Sequence, residues 1–158
     1  PRIAGLTQLL GGLDPPYRRV LRSDDGIEPE IKYYDSDKDQ EELFIKAIED
    51  LYSAGYQSRD ITVVSAKGNK GCIANSLGTE PWKSRLKPFE NARLENIGYS
   101  SIHAFKGLES TCVIVTDIEH VTGDSSQSLF YIATTRALQR LTVLANHRVQ
   151  KQLLKAVL

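Results

Sequence analysis

Three short runs dominated by aliphatic and β-branched residues limit this chain most: Ile61 to Val64, Val113 to Val115 (extending to Asp117) and Leu141 to Leu144. None shows the polar-apolar alternation of a strand with one wet face. Such runs suit parallel strands buried on both faces. Between them lie segments of helical period. Asp35-Ser36-Asp37 supplies N-cap residues, Leu43, Phe44, Ala47, Ile48 and Leu51 recur at helical spacing, and Gly55 is a stop signal. Strands alternating with helices imply βαβ units, hence an α/β domain with a mainly parallel sheet and helices on both faces.

The remaining elements are read in the same way. Ile3, Leu6, Leu9 and Leu10 have helical spacing and end at Gly11-Gly12; Asp14-Pro15-Pro16 is a loop, and Asp24-Asp25-Gly26 a tight turn. Strands are expected at Glu30 to Tyr34 and Ile97 to Ile102, and helices at Gly71 to Leu77, Ser128 to Ala137 and Val149 to Leu158. Residues 66 to 96, broken by Gly68, Gly71, Gly78, Pro81 and Pro88, read as an irregular excursion. In that stretch Trp82 and Phe89 suit loop packing, with base stacking as the sharper alternative. The sequence contains no internal repeat and no low-complexity stretch.

A length of 158 residues fits one domain, 1–158, with a real core. Lys plus Arg and Asp plus Glu each total 20, so bulk charge supplies no grip on a polyanion; only a local basic face could. Cys72 and Cys112 stand apart, in neither a CxxC nor a Cys/His cluster. Two reduced, buried thiols in a cytoplasmic protein are expected, with no metal site. No apolar run approaches a membrane span, and no signal peptide is expected. With no Met and Pro1 at its start, the sequence reads as a piece of a longer chain.

Two segments carry candidate chemistry. Tyr99 to Glu109 lies between two strands and contains Ser101, His103, Lys106, Gly107 and Glu109. In open α/β sheets ligands bind at the carboxyl ends of strands, so these residues are expected at such an end. Leu129 to Leu138 is a helix candidate bearing Arg136 after Thr134-Thr135, followed by a strand. Singly, such a His is more often structural and such an Arg more often ion-paired at the surface; the order and spacing of the two segments are what specify.

In that order they resemble motifs V and VI of UvrD/Rep-type superfamily 1 DNA helicases. Ser101 to Glu109 is similar to T-[IL]-H-x-x-K-G-L-E, with Ser101 for the usual Thr. Leu129, Tyr131, Ala133, Thr135, Arg136, Ala137, Leu141 and Val143 match L-x-Y-V-A-x-T-R-A and the strand after it. Asp60-Ile61-Thr62-Val63-Val64 is similar to the family's D-I-A-V-L strand.

The resemblance implies the second, C-terminal RecA-like domain of such a motor, a three-layer P-loop NTPase-type fold. ATP and Mg²⁺ would be held mainly by the N-terminal RecA-like domain, the partner, with single-stranded DNA across both. Arg136 matches the arginine finger that meets the γ-phosphate. Glu109 matches the acid that meets the nucleotide ribose, with Gly107 beside it. Ser101, His103 and Lys106 match the strand-contacting stretch. The segment 101–109 is expected to couple the two sites.

Two departures stand out. No G-x-x-x-x-G-K-[ST] occurs, and Lys67-Gly68-Asn69-Lys70-Gly71 reads as a surface turn. Motif IV is also missing: Tyr17-Arg18-Arg19 is only a partial look-alike, and the motif is expected ahead of Pro1. The stretch 66–96 is too short for the DNA-gripping subdomain of UvrD and Rep, resembling the family's shorter branch. A helicase-derived binding or scaffolding module without ATPase activity is the alternative, and an unrelated α/β nucleotide-binding domain is a third reading.

Overall fold

The computed structural model describes residues 30–68, 70–105, 107–120 and 137–151. Their order is β1 (Glu30–Tyr34), α1 (Asp37–Ser53), β2 (Ile61–Ser65), α2 (Ile73–Ser76), α3 (Trp82–Arg85), β3 (Leu86–Pro88), β4 (Ile97–Ser101), β5 (Ser110–Ile118) and β6 (Ala137–Asn146). One six-stranded sheet has the order β1-β6-β5-β2-β4-β3, and each neighbouring pair is parallel. The architecture is α/β and RecA-like.

α1 forms where the caps indicate. Ser36 is its extended N-cap, with Oγ accepting from the Asp39 amide at 3.2 Å. Gly55, at φ +100°, takes the left-handed residue that ends the helix. Its apolar stripe, Phe44, Ile48 and Leu51, packs on Ile61, Val63, Cys112, Ile114 and Leu144. Cys72, Ile73, Leu77 and Trp82 extend that same face, so Trp82 is a core residue. The opposite face, Val64, Val113, Val115, Leu141, Val143 and Ala145, is covered by Ile102, Phe105 and Val149. Both faces of the central strands are therefore dry, which is why their sequences lack alternation.

Several boundaries move. The helix expected at 71–77 is one turn, Ile73–Ser76. The excursion also contains α3 and the edge strand β3, whose last residue is Pro88, tolerated because an edge strand has an unpaired side. β5 begins at Ser110, before its apolar run. Ala137, expected to close a helix, opens β6 instead. The first helix, the rest of the 128–137 helix and the end of the 149–158 helix fall outside the described residues; a 3-10 turn, His147–Val149, starts the last of these.

Candidate functional site

Because the strands are parallel, the sheet has one edge of carboxyl ends and one of amino ends, with different chemistry. The strand order lines up the groups of the carboxyl edge: Asp35 after β1, His147 and Arg148 after β6, Glu119 after β5, Lys67 after β2, and Ser101 and His103 at the end of β4.

Just inside this edge Asp117 organises the surrounding loops. Its carboxylate accepts from Ser65 Oγ at 2.6 Å, Thr116 Oγ1 at 2.7 Å, the Ile73 amide at 3.2 Å and Gln40 Nε2 at 3.1 Å. Its own amide donates to Gln40 Oε1 at 2.8 Å. Asp117 and Gln40 are both buried, and Asp117 sits at φ +63°, a conformation unfavourable for a non-glycine residue by about 1–2 kcal/mol. The surrounding bonds offset that strain. Sequence reasoning missed this hub; the polar Thr116-Asp117 pair ending an apolar strand was the signal that could have found it.

Next to it, Glu119 takes Lys67 Nζ at 3.3 Å and Arg148 Nη2 at 3.0 Å, and accepts from the Tyr34 hydroxyl at 3.4 Å. Burial, and then the adjacent Glu119 charge, push the Tyr34 phenol far above its ordinary range, so it acts as a donor. At the end of the row, His147 Nδ1 lies 2.6 Å from Asp35 Oδ1 and its ring stacks on Tyr33 at 5.6 Å.

Segment 101–109 departs from the expectation of a cluster at one strand end. Ser101 and His103 do lie at the carboxyl edge, where Ser101 Oγ accepts from the Ala104 amide at 3.1 Å. The Ile102 amide donates to Ser65 O at 3.0 Å, joining the turn to β2. Phe105 is fully buried against the sheet, with Phe89 edge-on at 5.9 Å. The chain then reaches β5, whose residue Cys112 is level with Ile61, the first residue of β2. Glu109 therefore stands at the amino edge. A five-residue strand such as β2 spans roughly 16 Å at about 3.3 Å per residue, and residues 102–109 cover that length, with turns and no helix among the described ones. Gly107 sits in the crossing at φ +86°, where a side chain would be strained.

At the amino edge, Thr62 Oγ1 donates to Ser110 Oγ at 3.0 Å, fixing the residue after Glu109. Ser110 is in register with Ala137, the residue that follows Arg136. Arg136 and Lys106 themselves lie outside the described residues. Glu109 is exposed. The exposed large apolar side chains among the described residues gather here too: Phe89, Leu94 (70% exposed), Leu108 and Leu138. Between the amino ends of β2 and β4 a cleft of about 480 Å³ is lined by Arg59, Thr62, Phe89, Arg93, Leu94 and Asn96. Arg140 Nε, near the start of β6, is buried without a hydrogen-bond partner, and the guanidinium lies 5.6 Å from the Tyr56 ring centre.

Both cysteines are buried and unbridged; burial pushes the Cys112 thiol up to about 12 and raises that of Cys72. Among the described residues no three His, Cys, Asp or Glu side chains gather as a cation site. No described helix is long and apolar enough to cross a membrane.

Residues 98–144, from β4 through β6, match the family model described as UvrD-like helicase C-terminal domain. The fold is similar to the C-terminal domain of a possible DNA helicase from Lactobacillus plantarum, with a TM-score of 0.67 and 18% identity over 92% of this chain and 84% of that one. No curated protein sequence matches the chain.

Proposed function

We propose, from a RecA-like sheet whose residues 98–144 carry the UvrD-like helicase C-terminal signature, that this chain is the second motor domain of an ATP-dependent DNA helicase or translocase. The observation that carries the reading is the crossing segment. It links Ser101 and His103 on one edge to Glu109 on the other through the buried Phe105 anchor. Ile102 and Phe105, both buried, tie that segment to the sheet, so it forms a direct covalent path between the two edges.

On this reading the amino edge faces the N-terminal RecA-like domain of the same protein, which holds most of ATP and Mg²⁺. The exposed Leu94, Leu108 and Leu138 give that edge an apolar surface suited to a partner domain. Glu109, exposed at the same edge, accepts hydrogen bonds from ribose hydroxyls, with Gly107 allowing the backbone to turn there. Arg136, next to the residue paired with Ser110, brings its always-charged planar guanidinium to the charge that develops on the transferring phosphoryl oxygens. Single-stranded DNA lies along the carboxyl edge, where Ser101 and His103 meet phosphate oxygens, with Lys106 of the same motif as a further phosphate contact. With no phosphate-binding glycine loop in its sequence, the domain does not hydrolyse ATP alone.

The test is ATPase activity of the full-length protein, with and without single-stranded DNA, for wild type and Arg136→Ala. Strand-stimulated turnover that falls by about 10³–10⁵ in the variant is the expected result. Turnover unaffected by Arg136→Ala, or absent from the wild type, refutes the motor reading and leaves a helicase-derived binding or scaffolding module.

A further inference from the structure

Three strands end side by side at the middle of the carboxyl edge, and residues just beyond their ends form one charged unit. Lys67 comes from the end of β2, Glu119 from β5 between them, and Arg148 from β6. Glu119 is the most buried of the three, with its side chain 20% exposed against 41% for Lys67 and 56% for Arg148. The cations thus turn their outer sides to solvent while one carboxylate holds both from behind. Ser65, two residues before Lys67, is level with Ser101 on the neighbouring strand β4. The row therefore continues directly into the candidate strand-contacting residues.

We infer that Glu119 is a built-in competitor for strand phosphate, holding Lys67 and Arg148 as further backbone contacts for single-stranded nucleic acid and keeping their grip weak. This rests on the strand-binding reading above and concerns the same edge. A phosphate approaching this edge meets two guanidinium or ammonium donors whose charge is already half neutralised by a fixed carboxylate. Each cation has donors to spare, five N–H groups on Arg148 and three on Lys67, so phosphate binding shares the cations with Glu119. Exposed ion pairs of this kind correspond to roughly two- to fivefold in an equilibrium each, so the competition tempers binding without abolishing it. With 20 acidic and 20 basic residues in the chain, no excess charge hides this local effect. A motor that must release its strand at each step gains from a grip held in check.

The experiment measures binding of fluorescent oligo(dT) to the full-length protein from about 50 to 200 mM salt. The variants are Glu119→Gln, Lys67→Ala/Arg148→Ala, all three combined, and Ser101→Ala/His103→Ala. Gln keeps an acceptor for the Tyr34 hydroxyl, and the two cations are exposed enough to remove without disturbing the core. Glu119→Gln is expected to bind about two- to fivefold tighter. Lys67→Ala/Arg148→Ala is expected to flatten the slope of log affinity against log salt by about 1.4, or about 0.7 for each phosphate that is no longer neutralised. In that background Glu119→Gln is expected to have no further effect. Binding that Glu119→Gln leaves unchanged or weakens, or a Glu119→Gln gain that persists without the cations, overturns the inference. If Ser101→Ala/His103→Ala weakens binding while the other variants do not, the strand reading stands and the role of Glu119 falls. If wild type binds no oligonucleotide, both fall.

Discussion

Replacing Asp117 tests how the carboxyl edge is held together. In Asp117→Ala the left-handed backbone strain remains, since alanine relieves none of it, while four donors lose their acceptor. The Ser65 and Thr116 hydroxyls, at 2.6 and 2.7 Å, can turn elsewhere, so each loss is an ordinary net hydrogen bond of about 0.5–1.5 kcal/mol. The Ile73 amide and Gln40 Nε2 are held by backbone and by burial, and each left without an acceptor costs about 1–3 kcal/mol. Together these come to about 3–9 kcal/mol, reaching the range where only a few mechanisms operate. Asp117→Asn is milder. Its Oδ1 keeps Gln40, and the hydroxyls can reverse to accept from the new amide, but the Ile73 N–H then faces an N–H; a loss of about 1–3 kcal/mol is expected. Urea unfolding followed by circular dichroism gives both values. If Asp117→Ala lies within about 1 kcal/mol of wild type, these bonds do not hold the edge and the reasoning fails.

Phe105→Ala empties a fully buried site beneath the crossing segment and is expected to lose about 3–5 kcal/mol, read from the same unfolding curves. Gly107→Ala meets no atom within 4 Å, so its cost is conformational alone, about 1–2 kcal/mol, whereas Gly98→Ala brings a Cβ to 2.9 Å from Phe89 Cδ2 and is expected to shift that ring in an NMR spectrum. For Cys112, burial raises the folded thiol from 9.0 to about 12. Its stabilising contribution is fully present below pH 9.0 and is lost as pH rises towards about 12, because the unfolded thiol gives up its proton first. Stability is therefore expected to fall by up to about 1.4 kcal/mol per pH unit in that window, and Cys112→Ala to flatten the alkaline limb; an unchanged limb refutes it.

The candidate site was legible only in part. The spacing of Ser101, His103, Gly107 and Glu109 was evident, and so was their place between two buried strands. Their separation onto opposite edges was not, because eight residues after a strand ordinarily read as a loop at one end. The start of β6 was misread because Ala137 follows a helical pattern, and its polar residues Gln139 and Arg140 lie outside the apolar run that marks the strand. β3 escaped notice because three residues ending in Pro88 carry no period at all.

Local sequence determined the α/β class, the parallel character of the sheet and the limits of α1, because burial on both faces, caps and a left-handed glycine are properties of neighbouring residues. It also determined the match of residues 98–144 to the UvrD-like helicase C-terminal family. Only the tertiary structure decided which strands lie side by side. The order β1-β6-β5-β2-β4-β3 joins Gln40 to Asp117 across 77 residues and Ser65 to Asp117 across 52, and it brings Lys67 and Arg148 to either side of Glu119. Apolar period reports which face of an element is buried, but not its neighbour, and the chemistry of this carboxyl edge comes from neighbours.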